Sequence, residues 1–287
     1  MKRTLIALAV TAAVTAPLAA HAAPKVYGKL NLSVEQYEKD FQNPATLDED
    51  YSRLQSNASR FGVKGEDELT ATLSAVYGIE WQVSGDGDAA DLSARNRFVG
   101  IKSQDFGTVK LGWFDSYLKL AQDKADLFND LAGDFEYVIA GENRLKNVIG
   151  YESPKFLDSL QFNVLSQTQD ANTNQKNGTS GSLVFNKEDL GLYAALAFDN
   201  NVDSKTALFG TRESDNLRLV VSYKIADLTL NGVYATSEAA TGASNEETGY
   251  SLGVAYKIAD ETLKVQYGVA EADDAAAGIN AAPRGHL

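Results

Sequence analysis

The chain has 287 residues, a formal net charge of −13, no cysteine and two histidines, His21 and His286. The lack of cysteine excludes a thiol nucleophile, a disulfide framework and a zinc-thiolate site, and the acidic charge argues against nucleic acid as a partner. A histidine-activated serine would depend on a histidine near one end of the chain, so we expect no enzyme, no cofactor and no metal site.

The first 22 residues combine two basic residues, an apolar run and the small-x-small ending Ala20-His21-Ala22. This pattern predicts a secretory signal peptide over residues 1–22, in preference to a membrane anchor, because the apolar stretch is short and interrupted. Removal of Lys2 and Arg3 with the signal changes the net charge from −13 to −15.

From Lys25 onward, apolar and polar residues alternate in segments that are separated by polar or glycine-rich stretches. A strand points successive side chains to opposite faces, so each segment is predicted to be a strand with one apolar and one polar face. Thirteen segments have this pattern: 25–37, 57–65, 69–84, 94–103, 107–114, 144–152, 159–168, 179–187, 190–199, 215–225, 228–237, 248–258 and 261–271.

The connections between these segments alternate in length. The short ones include the pentapeptide YKIAD, which occurs at 223–227 and again at 256–260. Long polar connections lie between the short ones: 38–56, 84–94, 114–143, 168–179, 199–213 and 237–248. Tight turns at one end and long loops at the other are typical of an outer-membrane β-barrel, with the short turns in the periplasm and the long loops outside.

Aromatic residues near the predicted strand ends agree with a membrane barrel, where they form girdles at the two interfaces. They are Tyr27, Tyr77, Trp81, Trp113, Tyr151, Tyr223, Tyr256 and Tyr267. A soluble sandwich or secreted adhesin also has alternating strands, but its strands are usually shorter and its loops do not alternate in this way.

Three segments carry a resemblance to a known family: VYGKLNL (26–32), SRFGVKGEDEL (59–69) and ARNRFVGIKSQDFGTVKLG (94–112). They resemble the general diffusion porins of Gram-negative bacteria. The resemblance implies an all-β fold, a transmembrane antiparallel up-and-down barrel of 16 strands with an inward-folded third loop. It also implies an outer-membrane homotrimer, in contact with lipid and lipopolysaccharide, that passes ions and small hydrophilic solutes. The predicted barrel domain is 23–271, followed by a tail without strands at 272–287.

The third loop corresponds to residues 114–144, much the longest connection between predicted strands. Apolar residues at Leu120, Leu127, Phe128 and Leu131 have roughly helical spacing, which predicts a short helix within 116–129 packed on the inner wall. In porins of this family, the negative side of the constriction carries a short motif. It consists of one acidic residue, three further residues, a second acidic residue and then Phe. The segment DLAGDF (130–135) has this pattern, so Asp130 and Asp134 are the candidate acids; the alternative is that both are merely solvated.

The family's basic wall corresponds to Lys29, Arg60 and Arg95 by motif position. Arg97 has the sequence parity of Arg95, so we expect it on the same, inward side. Enteric porins carry a further arginine where this chain has Glu152, which adds an acid to the predicted constriction. Together with the acidic loops, this difference favours cations.

Bacterial single-chain barrels have an even number of strands, whereas thirteen are predicted here. The chain ends in Leu287 rather than in a strand with a terminal aromatic residue. We therefore expect a truncated porin, short by about three strands or roughly fifty residues, that does not form an efficient channel by itself. The alternative functions are a barrel enzyme, and a barrel adhesin or ligand-binding barrel that acts through its long acidic extracellular loops.

Overall fold

The computed structural model describes residues 23–39, 49–88, 92–169, 177–241 and 246–273. The predicted signal peptide and residues 274–287 of the predicted tail lie outside this range. Fifteen strands are present: β1 (Lys25–Lys29), β2 (Leu32–Lys39), β3 (Glu49–Ser56), β4 (Arg60–Glu68), β5 (Leu73–Val83), β6 (Leu92–Ser103), β7 (Gly107–Asp115), β8 (Arg144–Glu152), β9 (Leu160–Gln167), β10 (Gly178–Lys187), β11 (Leu192–Thr206), β12 (Gly210–Ile225), β13 (Leu228–Ala239), β14 (Glu246–Ile258) and β15 (Glu261–Asp273). Helix α1 (Tyr117–Leu120) and two 3-10 helices (Phe135–Tyr137 and Glu188–Leu190) complete the described elements.

Thirteen strands form one antiparallel sheet in the order β1, β4 and then β5 through β15, while β2 and β3 form a separate hairpin. The predicted all-β architecture and the thirteen sheet strands are confirmed. Within the described residues β1 and β15 are the two edges of the sheet and do not pair with each other. No helix in this part of the chain is long and apolar enough to cross a membrane.

Three predicted boundaries are wrong. The first segment, 25–37, is interrupted at residues 30 and 31 and continues as β2, which belongs to the separate hairpin. The predicted loop 38–56 contains β3, and the predicted loop 199–213 is mostly strand, because β11 and β12 run on to a tight turn at 207–209. These strand segments were not predicted because their side chains are mostly polar, and the prediction relied on alternating apolar residues.

The two faces of the sheet differ as the alternation predicts. In β12, Asn216, Arg218 and Val220 are buried, whereas Leu217 and Leu219 are exposed on the other face. An apolar outer face and a polar inner face are the arrangement of a membrane barrel that encloses water. One predicted girdle residue departs from it, since Tyr27 donates a hydrogen bond from its hydroxyl to Glu80 at 3.0 Å on the inner face.

Both copies of YKIAD form two-residue hairpin turns, between β12 and β13 and between β14 and β15. The alanine in each turn is left-handed, with φ of 51° at Ala226 and 53° at Ala259. Positive φ at the first turn residue fits the right-handed twist of the flanking strands. The repeat is therefore one turn used twice at the same end of the sheet.

Candidate pore constriction

Residues 116–143, called loop 3 below, leave β7 and pack against the inner face of the sheet. Ser116 caps helix α1 by accepting a hydrogen bond from the Lys119 amide. The amides of Tyr117 and Leu118 both donate to the Ser180 hydroxyl on β10, at 2.9 and 3.2 Å. The first turn of loop 3 is thus fixed to the wall, and the predicted inward folding is confirmed.

The apolar side chains that seat loop 3 are only partly those that the sequence suggested. Helix α1 has four residues and does not extend through 116–129, and Leu120 and Leu131 are exposed rather than packed. The buried apolar residues of the loop meet alanines and valines of the wall. On the loop side they are Leu118, Ala121, Ala125, Phe135, Val138 and Ile139, and on the wall side Ala195, Ala197, Val220, Val233, Ala235 and Ala270.

Glycines let the loop backbone lie directly on the sheet. A Cβ atom added at Gly249 would come within 2.2 Å of the Val138 carbonyl oxygen, and one at Gly268 within 2.7 Å of a Val138 methyl group. Contacts this short are not tolerated, so the small residues of β14 and β15 define where the loop can sit.

Loop 3 touches both edges of the sheet. The Leu127 amide donates to the Gln266 side-chain oxygen on β15 at 2.9 Å, while Asp130 contacts Lys29 on β1 at 2.7 Å. The two contacting residues, Leu127 and Asp130, are three positions apart along the loop, a reach of about 10 Å when fully extended. The sheet therefore curls around the loop until its two edges approach each other.

Asp130 joins the loop to the predicted basic wall. Its carboxylate accepts hydrogen bonds from the Lys29 amino group at 2.7 Å and from Arg60 Nη1 at 3.0 Å. Burial raises the pKa of Asp130, but the Lys29 hydrogen bond and the Arg60 charge outweigh burial and hold that pKa below its ordinary value. The acid and these two cations are in contact, and not opposed across a water-filled gap as the sequence suggested.

Asp134 also faces the cavity, but its own loop engages its carboxylate. The oxygens accept from the Glu136 amide at 2.8 Å and the Asp130 amide at 2.7 Å. Burial, and next the charge of nearby Asp126, raise the pKa of Asp134 to about 7 in spite of these bonds. Burial likewise raises the pKa of Asp126. Asp134 thus shapes the backbone around Asp130 and changes its own charge near neutral pH.

Arg95 lies on the inner face, as predicted, beside an acid that the sequence analysis did not single out. Its Nε atom donates to Glu80 at 2.5 Å and its Nη1 atom to Gln82 at 3.1 Å. Glu80 also lies 3.9 Å from Arg60. A signal was present in the sequence, because Glu80 lies between the apolar residues Ile79 and Trp81 and therefore on the polar face of the predicted strand 69–84.

Arg97 does not share the inward side of Arg95, and that prediction is wrong. Between the pairs Ile79 with Arg97 and Trp81 with Ala94, two residues of β6 oppose the single residue Glu80 of β5. Such a β-bulge shifts the alternation by one residue. Arg97 consequently lies over the ring of its cross-strand partner Trp113, 5.6 Å from the centroid.

Glu152 faces inward but lies apart from the other predicted acids. It forms an ion pair with Lys110 of β7 and accepts a hydrogen bond from the Tyr117 hydroxyl at 3.3 Å. Its charge is matched locally, so it does not stand as a free acid opposite the basic wall.

Further charged residues that the sequence analysis missed gather where loop 3 joins the wall. Lys119 lies 3.6 Å from Asp115 and 3.7 Å from Glu142, and Arg144 lies 3.1 Å from Asp115. No family motif marked these residues, because their partners come from the start and the end of the loop and meet only after folding.

A cavity of about 1610 Å³ runs beside loop 3. Nine carboxylate and eight cationic side chains line it, so acids and bases nearly balance. The carboxylates are Glu35, Asp115, Asp123, Asp126, Asp130, Asp134, Glu136, Glu142 and Glu188, and the cations are Arg53, Arg60, Arg95, Lys119, Lys124, Arg144, Lys224 and Lys264. Mixed charge on a wide polar cavity suits hydrated ions and small polar solutes better than apolar molecules.

Comparison with known proteins agrees with this architecture. The sequence profile of the Gram-negative porin family matches residues 7–282. The major outer membrane protein P.IB of Neisseria lactamica is 28% identical over 204 residues, which cover 69% of this chain and 58% of that protein. P.IB of Neisseria meningitidis serogroup B is 30% identical over 192 residues, covering 62% of this chain and 56% of the relative. The chain thus spans less than two thirds of the length of these relatives.

Solved porin structures share the fold at low identity. An anion-selective porin from Comamonas acidovorans superposes with a TM-score of 0.70 at 20% identity, over 87% of this chain and 79% of that one. OmpF of Salmonella typhi, in a complex with daunomycin, superposes with a TM-score of 0.69 at 14% identity, over 91% and 82% of the two chains. The fold and the inner loop define a porin-type outer-membrane protein. The chain belongs to the Gram-negative porin family.

Proposed function

We propose that the protein is an outer-membrane porin through which ions and small hydrophilic solutes diffuse passively. The observation that carries the proposal is the position of loop 3, which lies inside the curved sheet beside a large charged cavity. The proposed activity needs no catalytic residue, cofactor or metal ion. Residues of the chain contribute by setting the width of the passage and its charge.

Loop 3 is the part that narrows the passage. A rigid loop fixed to β10, β14 and β15 limits solutes by size, and the charged residues beside it orient the water within the remaining space. Ordered water is unfavourable for apolar solutes, so the passage discriminates first by size and then by charge.

Charge selectivity depends on the charged side chains of the protein that are not paired with one another. The cavity lining is nearly balanced, and the pairing of Asp130 and Glu152 with nearby cations reduces their influence. The net charge of −13 then favours cations at the approaches to the passage. This proposal differs from the selectivity named for the Comamonas porin, and the sign of the reversal potential decides between them.

The proposed setting is a homotrimer in contact with outer-membrane lipid and lipopolysaccharide. The exposed apolar outer faces of strands such as β12 and β14 support contact with lipid. In the proposed orientation, the YKIAD turns face the periplasm and the ends that carry the long connections face outward.

Planar-bilayer recording of the purified 287-residue chain tests the proposal, and the frequency of channel insertion tests the expectation that this chain by itself is an inefficient channel. We expect stepwise conductance and, in a potassium chloride gradient, a reversal potential of the sign for cation preference. Liposome swelling in small sugars separates a channel from an adhesin, which would bind ligands without swelling. A chain that inserts and folds but neither conducts nor swells liposomes would refute the porin assignment.

A further inference from the structure

We infer that Asp199, a buried acid on the inner face of β11, is a positioning residue that holds the base of loop 3 against the wall and thereby sets the width of the passage. The inference deepens the proposed porin function and rests on it. Asp199 is 1% exposed and lies outside the three motif segments 26–32, 59–69 and 94–112.

Asp199 contacts the end of loop 3 directly and lies opposite a residue that binds its start. Its Oδ2 atom accepts a hydrogen bond from the Asn143 side-chain amide at 2.9 Å, at the end of the loop. Its cross-strand partner on β10, Ser180, accepts from the Tyr117 amide at the start of the loop. Asn143 is tied to that start directly, because its carbonyl accepts from the Ser116 amide at 3.0 Å.

The chemistry of Asn143 suits a neighbour that accepts hydrogen bonds. Its side-chain NH2 group donates to Asp199 at 2.9 Å and to the Ser204 hydroxyl at 3.1 Å. An ionised carboxylate only accepts, whereas an asparagine at position 199 also carries an NH2 group, which cannot accept from Asn143.

Arg218 makes the matching contact from the next strand. It is 0% exposed, and it donates to the Ala140 carbonyl at 2.8 Å and pairs with Glu142 at 2.8 Å. Asp199 and Arg218 thus present opposite charges from adjacent strands to loop residues 140–143. Loss of one partner from a buried polar network leaves the others unsatisfied, so the contacts act together.

The first experiment compares Asp199→Asn with Asp203→Asn. Both substitutions remove one carboxylate from β11, but Asp203 is exposed. We expect Asp199→Asn to raise the single-channel conductance, to add current noise in the open state and to move the permeability ratio toward unity. Asp203→Asn should match the unmodified chain. Circular dichroism and heat-modifiable migration show whether each variant has folded.

A cross-link separates positioning from folding. A Cβ atom built at Gly268 lies 3.5 Å from the Val138 Cβ, a distance that suits a disulfide. The chain has no cysteine of its own, so Val138→Cys with Gly268→Cys gives a single possible bridge between loop 3 and β15. In the Asp199→Asn background, the oxidised pair should restore the lower conductance and reduction should abolish the rescue.

The outcomes distinguish the inference from the porin assignment. An unmodified chain that inserts and folds but never conducts refutes the assignment itself. A conducting chain whose conductance, noise and selectivity are the same with Asp199→Asn overturns the positioning role alone. Should Asp199→Asn fail to fold, Asn143→Ala takes its place, because it removes the amide that donates to Asp199 and leaves the acid; a wild-type channel in that variant also overturns the role.

Discussion

The carboxylate of Asp130 lies 2.7 Å from the Lys29 amino group, and this contact joins the constriction loop to the first strand of the sheet. Arg60 binds the same carboxylate at 3.0 Å. The negative charge of Asp130 thus offsets part of the positive charge of Lys29 and Arg60, which the family motifs assign to the basic wall.

Replacing Asp130 by Asn should free both cations and shift selectivity toward anions. Two unit charges about 4 Å apart interact by about 1 kcal/mol in water, so we expect a change of up to about fivefold in the permeability ratio. Reversal potentials in a salt gradient measure it. Asp105→Asn, in the exposed turn between β6 and β7, is the control for loss of a charge, and an equal shift in both variants would contradict the local role of Asp130.

Selectivity should depend on pH through Asp134. Its pKa is raised from the ordinary 3.8 to about 7, so ionisation adds negative charge to the cavity as the pH passes through neutrality. Because the folded value exceeds the unfolded one, this group stabilises the folded loop most at low pH and loses that contribution as pH rises through about 7. Cation preference should increase between about pH 5.5 and 8.5. Asp134→Asn should flatten that dependence, and a slope that persists would assign it to another group.

Arg95 and Arg97 should differ in their effect on the channel although only one residue separates them. Arg95→Ala leaves Glu80 with one fewer cation in the cavity and should increase cation preference. Arg97→Ala acts on the outer face over Trp113 and should leave the permeability ratio unchanged. Bilayer recordings of the two variants under the same salt gradient provide the comparison. Equal effects would place both side chains in the passage and contradict the β-bulge.

Gly249 should be intolerant of even a methyl group. An added Cβ would lie 2.2 Å from the Val138 carbonyl oxygen, so Gly249→Ala should displace loop 3 and change the conductance. Gly232→Ala on the neighbouring strand is the matched control, because its nearest contact would be an ordinary 3.7 Å from Leu252. Single-channel recording and thermal stability should change for the first variant only.

The YKIAD turns should be stabilised by glycine. Ala226 has φ of 51°, a conformation that costs an L-residue roughly 1–2 kcal/mol. Ala226→Gly removes this strain but adds freedom to the unfolded chain, which leaves a gain of up to about 1 kcal/mol. Ala226→Val should destabilise the protein, because a β-branched residue fits positive φ poorly. Urea unfolding in lipid vesicles measures both, and a stabilising valine would exclude the left-handed turn.

The strand pattern could be predicted because the alternation of apolar and polar residues follows directly from burial of one face. That rule located thirteen strands, whereas the inward position of the third loop came from the family resemblance. The rule failed for residues 199–206 of β11 and 210–213 of β12, because most of their side chains are polar on both faces of the sheet. The same limit hid β3.

The site was predicted less completely because a single inserted residue reverses the faces of a strand. Two residues of β6 oppose Glu80, so Arg95 and Arg97 point to opposite sides despite their equal parity. Nothing in the local sequence marks the bulge. The contacts of Asp130 with Lys29 and Arg60 were equally hidden, since motif positions identify residues but do not give the distance between a loop and a wall.

The contact between Leu127 and Gln266 joins residues that are 139 positions apart. The loop 3 contacts with Gln266 can form only after β15 has joined the sheet, although the loop is made of residues from the first half of the chain. Contacts of such long range are acquired late, because the intervening chain must first be ordered. The final contacts of the constriction therefore belong to a late stage of assembly, when the last described strand is in place.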